Sequence, residues 1–302
     1  GDTPQDNMQF LTFLCAIIKG VDEYAPLLRL SAASAGNDHR LGANEAPPAV
    51  ISMFIGSELE GVIEALENGT TYKKPNGSEE FVIGVDALPN FPKDATDRNR
   101  TSPFAFTGNK FEFRMLGSSD SISCTNTIMN TIVAEILDGF ATELEKADDF
   151  EKALKELLIK TYKEHKRIIF NGNGYSDDWV KEATEVRGLP NYVSTVDCMP
   201  HYTDEKNVRM FEKFKVYTST ELASRTEILL ENYSKVINIE ALTMIDMTRK
   251  QILPAVMKYT KDICDVVASK KAAGLAGGAE EKLASRLASM TSSLDNAVEV
   301  LE

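Results

Sequence analysis

Histidine and tryptophan are scarce in this chain, at three and one residues of 302. His39, His165 and His201 lie far apart and show none of the spacings of a metal site, which excludes a histidine-built zinc centre. Cysteine is nearly as sparse. Cys15, Cys124, Cys198 and Cys264 are scattered with no CxxC pair, so a zinc ribbon and a secreted disulfide framework are both excluded; they read as reduced, buried thiols of a cytoplasmic protein. Long apolar runs are missing. The longest, Phe10 to Ile18, is interrupted by Thr12 and falls well short of the ~20 residues of a membrane span, so no membrane partner is expected. An excess of basic residues is also missing: the net charge is -13. Phosphate backbones demand a basic surface, so nucleic acid is excluded as a general partner, although a local basic pocket is not.

What remains is an ordinary globular composition, 43% hydrophobic and 26% charged, at a length that suggests about two domains. The texture changes near residue 120. Residues 1–120 mix helix, strand and Gly/Pro-bearing loops, and residues 121–302 read almost wholly as helix. The expected fold class is therefore α+β with a mostly α-helical C-terminal domain. Phe10, Phe13, Leu14, Ile17, Ile18 and Val21 have helical spacing within Asp6 to Leu30. Val50 to Leu66 also reads as helix, Phe81 to Val85 as a short strand, and Thr101 to Met115 as a hairpin turning at Thr107-Gly108-Asn109. Further on, Ile128 to Leu144 forms an apolar stripe that resumes at Phe150 after a break at Asp148-Asp149. Ser176 caps a helix carrying Trp179. A long helical pattern from Glu221 to Ala268 contains Pro254, which predicts a kink or interruption. Leu283, Leu287, Met290, Leu294, Ala297 and Leu301 form an a/d seam, expected to pack as a hairpin against Leu222 to Met257. Gly1 and Glu302 both suggest a cut end, and a fragment is expected.

Three segments carry residues suited to chemistry. In Lys110-Phe111-Glu112-Phe113-Arg114-Met115, strand alternation puts Lys110, Glu112 and Arg114 on one face and the apolar residues on the other. A carboxylate between two cations suits a site where a divalent ion meets anions, yet a solvated strand with ion pairs has the same pattern. In Asn99-Arg100-Thr101-Ser102-Pro103, an arginine beside hydroxyls and a proline-fixed backbone suits a phosphate clamp, and pairing with a nearby acid is the plainer reading. In His39-Arg40-Leu41-Gly42-Ala43-Asn44-Glu45-Ala46-Pro47-Pro48, Glu45 sits between a glycine-softened side and a stiff one. A lid carboxylate placed so could close over a site and accept a proton; a solvated loop glutamate fits equally.

Taken in order, HRLGANEAPP, NRTSPFAF and KFEFRM resemble the motifs of the glutamine synthetase family, and most closely its long type III form. The resemblance covers about residues 1–188, with the helical remainder similar to that type's C-terminal extension. It implies an ATP-dependent ligase joining ammonia to glutamate through γ-glutamyl phosphate. It implies that residues 1–120 are the C-terminal portion of the catalytic domain, including part of its antiparallel sheet. Residues 121–302 are then the helical type III domain. By resemblance Arg40 would hold a carboxylate of glutamate, Glu45 would be the flap base, and Arg100 would contact the transferring phosphate. Glu112 would ligate Mg²⁺ or Mn²⁺, and Arg114 would neutralise the phosphorylated substrate. A family arginine expected after the NRS-type motif is replaced by Pro103-Phe104-Ala105-Phe106, with Lys110 as a possible substitute at ATP. The family's upstream metal ligands are absent, so the chain is expected to be inactive alone. Glutamate, ammonia and ATP are the expected partners, and the family's double-hexamer ring implies a homo-oligomer. Two rival readings are a non-catalytic helical assembly or regulatory module and a related carboxylate–amine ligase using another amine.

Overall fold

The computed structural model describes residues 7–43, 46–70, 72, 80–81, 91–92, 102–108 and 110–302. The chain divides into two compact units, Gly1–Leu230 and Glu231–Glu302.

In the first unit the core is built around α1 (Met8–Glu23), whose N-cap Asn7 accepts from the Phe10 amide at 3.0 Å. Leu11, Leu14, Cys15, Ile18 and Val21 are buried, whereas Phe13 of the expected stripe is 44% exposed. Pro26 in the first turn of α2 (Ala25–Ser31) separates that helix from α1 where the sequence suggested one continuous run; proline is tolerated only at a helix start. α3 (Ala35–Arg40) follows, capped by Ser34, whose side chain accepts from the Asn37 amide. Then comes a difference from expectation. Val50 to Ile55 is extended, forming β1 (Met53–Phe54), and helix α4 begins only at Ser57 (Ser57–Glu67). A short, fully buried apolar run has the same composition in a strand as in a helix, and only pairing partners decide. The partners here are β4 (Phe104–Phe106) and Ile169.

Two short strands, β2 (Glu80–Phe81) and β3 (Phe91–Pro92), form an antiparallel pair. β4 pairs antiparallel with β5 (Phe111–Phe113), as the hairpin pattern predicts, and parallel with β1. The resulting three-stranded sheet, order β1-β4-β5, is thus mixed. Gly108 at the turn has φ +96°, where a side chain would be strained.

α5 (Ser123–Leu144) and α6 (Phe150–His165) pack on α1, with Asp149 capping α6 at the expected break. Gly20 lets α1 approach α5 closely, because a Cβ there would lie 2.7 Å from the Ile132 Cγ2. Ser176 caps the short helix α7 (Asp177–Lys181), which carries buried Trp179. Helices α8 (Thr195–Cys198) and α9 (Glu205–Lys213) complete the unit, together with the start of α10 (Ser219–Met247).

In the second unit α10 runs into a π turn at Thr248–Ile252, then α11 (Leu253–Ala272). The wide turn lies just before Pro254. It places the proline in the first turn of α11, where its missing N–H is not needed. α12 (Gly278–Leu301) returns antiparallel to α11, tied by Lys270–Glu280 at 2.5 Å near one end and Arg249–Glu302 at 2.7 Å near the other. α12 therefore packs on α11, Leu253–Ala272, rather than along Leu222 to Met257 as a whole; Val298 is buried there, whereas Met290 and Leu301 of the expected seam are 57% and 44% exposed. Cys15 and Cys198 are buried and Cys124 half-buried, but Cys264 is exposed, contrary to expectation. No helix among the described residues is long and apolar enough to cross a membrane.

Candidate functional site

The β4–β5 pairing matches Phe104 with Phe113 and Phe106 with Phe111. Their rings form one apolar bed, with Phe104 5.9 Å from Phe111 and 6.0 Å from Phe113 between centroids. Phe106 in turn meets Phe10 of α1 at 5.7 Å. Because strand residues alternate, anchoring this aromatic face fixes the opposite one. That opposite face presents Lys110, Glu112 and Arg114. The Glu112 carboxylate lies between its neighbours, with Oε1 3.1 Å from the Lys110 Nζ and Oε2 3.0 Å from the Arg114 Nη2. The Arg114 Nε also donates to Oε2, at 3.2 Å. Hydrogen bonds first from Lys110 and then from Arg114 hold the Glu112 carboxyl below the usual carboxylate range.

Arg40, at the last turn of α3, reaches the same place. Its Nη2 faces the carbonyls of Arg114, Met115 and Leu116 at 3.4, 3.2 and 3.2 Å. Arg40, distant in sequence, is thus tied to the backbone that leaves β5, next to the strand on which Lys110, Glu112 and Arg114 pair. Asn44 and Glu45 lie outside the described residues, as does Arg100. On the flanks of the first pair, the Gly42 amide donates to the Pro47 carbonyl at 2.9 Å, with Gly42 at φ +77°. Two residues beyond Arg100, buried Ser102 accepts from Ser52 at 2.9 Å and donates to the Phe170 carbonyl at 2.8 Å.

The cluster depends on residues that motif reading missed. Asn37, 2% exposed, donates through Nδ2 to the carbonyls of Ala32 and Met115, at 2.5 and 2.9 Å. It locks α3 to the chain leaving β5. On the other side of α3, Asp38 accepts from the Arg29 Nη2 at 2.9 Å and from the Thr195 amide at 2.6 Å. Arg29 is 1% exposed and also donates to the carbonyls of Tyr192 and Val193. A buried cation is tolerated only when paired and hydrogen-bonded, so this clamp fixes the helix from which Arg40 projects. Asp38 stands beside His39-Arg40 in the sequence, but nothing local distinguishes it from a solvated acid. A second network joins α1 to the end of α6 and the turn beyond it: buried His165 Nδ1 and half-exposed Arg167 Nε each lie 2.8 Å from an oxygen of Asp22.

A divalent ion needs several oxygen ligands. Both oxygens of Glu112 are engaged by cations, and no group of three or more His, Cys, Asp or Glu suited to a metal occurs among the described residues. These residues do not by themselves fit such an ion. The cluster suits instead the binding of anionic carboxylate or phosphate oxygens, which paired guanidinium groups recognise bidentately.

A sheet edge that carries Lys110 and Arg114 beside Arg40 is chemically suited to contact anions. Residues 153–271 match the family model of the glutamine synthetase C-terminal domain. A glutamine synthetase of Butyrivibrio fibrisolvens is 46% identical over 276 residues, 90% of this chain and 38% of that protein. A type-3 glutamine synthetase of Dictyostelium discoideum is 46% identical over 272 residues, 89% of this chain and 37% of that protein. A glutamine synthetase of Bacteroides fragilis (strain YCH46) is 38% identical over 265 residues, covering 86% and 36%. The chain belongs to the glutamine synthetase family and spans somewhat over a third of the length of these relatives.

Proposed function

We propose that this chain is the C-terminal part of a type III glutamine synthetase, supplying the cationic side of a site that joins ammonia to glutamate at the expense of ATP. Residues 1–120 would be the end of the catalytic domain, with β4 and β5 part of its antiparallel sheet, and residues 121–302 the helical domain of that type. The observation that carries this reading is the meeting of Arg40 with the chain leaving β5, beside the Glu112–Arg114 pair. Two guanidinium groups held on rigid elements can neutralise and orient a dicarboxylate or its acyl phosphate, and positioning of this kind supplies most of the catalysis in phosphoryl transfer. Glu45, on the loop after α3, is the proposed proton acceptor from ammonium. Arg100 is the proposed contact to the transferring phosphate, and Lys110 a contact to ATP. ATP and Mg²⁺ or Mn²⁺ are the proposed co-reactants. Glu112 alone does not hold the ion, so its metal role requires carboxylates from other parts of the protein. A homo-oligomeric ring, the family's double hexamer, and a cytoplasmic setting complete the proposal.

The engagement of Glu112 by two cations also favours a second reading, in which the chain is a helical assembly or regulatory module without chemistry. Two assays separate them. The 302-residue chain alone is expected to show no glutamine formation above that of its Glu112→Ala variant. A chimera in which the chain replaces the matching part of the Butyrivibrio fibrisolvens protein is expected to form glutamine, with Arg40→Ala or Arg114→Ala lowering turnover about a hundredfold or more. An assembled chimera without turnover, or one indifferent to both substitutions, supports the module reading. Ammonia replaced by a panel of amines would reveal a related ligase.

A further inference from the structure

Three helices of the first unit, α1, α5 and α9, frame a groove of about 500 Å³ that shares no residue with the cluster around β5. The chain as a whole is strongly acidic, with a net charge of -13, yet this groove is lined by four cations and three carboxylates. Two of the cations are fully engaged. Lys213 lies 2.5 Å from Glu135 and 2.9 Å from Asp138, and Lys206 lies 3.0 Å from Glu23 and over the Tyr24 ring. These links tie α9 to α5 and to α1, and so fix the walls of the groove. The other two cations are not held in this way. Lys19, with its side chain 28% exposed, approaches Glu23 only to 3.8 Å, too far for a hydrogen bond. Arg209 pairs with Glu205 one turn away on α9, with both side chains more than three-quarters exposed, and an exposed pair of this kind is readily exchanged for a better acceptor.

The floor of the groove gives a second, independent observation. Gly139 stands in the interior of α5, where glycine is destabilising relative to alanine. At Gly20 a close helix contact accounts for the glycine, but at Gly139 a Cβ would meet nothing within 4 Å. No packing within the protein requires the missing side chain. The space above it is the groove, floored nearby by buried Tyr24, Ile136 and Met210. A concave site with an apolar floor and a few polar groups at its rim has the composition that holds small molecules.

We infer that this groove binds a small organic oxyanion, a phosphate monoester or a carboxylate, with its charged head on Lys19 and Arg209 and its apolar body over Gly139. Ammonium and guanidinium groups give such heads charge-assisted hydrogen bonds, and the bare backbone of Gly139 leaves room for the body. The inference is independent of the ligase reading.

Isothermal titration of the intact 302-residue chain at low ionic strength, with phenyl phosphate and with benzoate as probes, tests it. Saturable binding of at least one probe is expected, and the tighter of the two identifies the head group. Lys19→Gln and Arg209→Gln are each expected to weaken binding about tenfold or more. Gly139→Leu, which fills the groove, is expected to weaken it at least as much, with helical circular dichroism unchanged and an unfolding midpoint no lower than wild type. Should Lys19→Gln fail to fold, Arg209→Gln on the exposed rim and Gly139→Leu carry the test. Arg114→Ala, in the cluster around β5, is expected to leave binding unchanged. Absence of saturable binding by both probes overturns the inference. So does binding that survives in a folded Gly139→Leu protein, or binding that is lost with Arg114→Ala and kept with Arg209→Gln.

Discussion

At the scale of single residues, the cluster around β5 is governed by pairing. Glu112 titrates lower in the fold than in the unfolded chain because Lys110 and Arg114 donate to its ionised form. Its stabilising effect is therefore complete above the ordinary carboxylate range and fades as pH falls through that depressed value. Wild type and Glu112→Gln should accordingly differ in unfolding midpoint at neutral pH and converge on acidification. A gap that widens toward acid would contradict the direction. Asp38 is expected to matter more for stability, since its loss strands Arg29 in the core. Asp38→Ala should cost about 3–5 kcal/mol in urea unfolding, with Arg29 at 1% exposure leaving water little access. Thiol reactivity gives a third check. Burial pushes the Cys15 thiol up to about 12 and that of Cys198 up to about 11. Titration of the native protein with a disulfide reagent should therefore find Cys264 fast and those two protected.

At the scale of elements, the contact of α1 with α5 turns on Gly20. Gly20→Ala places a methyl group against Ile132, and overpacking of this kind costs about 1–3 kcal/mol. Combined with Ile132→Ala, the total loss should be smaller than the sum of the two single losses, if the clash is the cause of the first. The helical elements were largely legible because their signals are local. Asp149 and Ser176 cap as their residue types predict, and Pro254 interrupts the long helix through the lost N–H and ring bulk that any proline brings. The extended course of Val50 to Ile55 was not legible. Its hydrogen-bond partners, the amides of Phe104 and Phe170, lie far along the chain, and no periodicity within six buried residues reveals them. The α12 seam was only partly legible: Met290, Ala297 and Leu301 are exposed and Val298 is buried instead, and Leu253–Ala272 took the place expected for Leu222–Met257.

At the scale of the whole molecule, acid is concentrated in residues 1–230 and exposed apolar surface in the helices beyond. The matched relatives extend well past this chain. Hence the proposed ligase site is expected to need carboxylates from elsewhere, and the turnover assays above belong to this scale.

The sequence by itself determined the family, the placement of most helices, and which charged residues share the face of β5. These follow from residue types, their order and short-range spacing. Folding alone brought Arg40 to the carbonyls of Arg114, Met115 and Leu116 and set Arg29 and Asp38 behind α3. Those outcomes depend on which distant segments share the low-dielectric interior, where an unpaired charge or carbonyl is costly and partners are chosen by proximity in space.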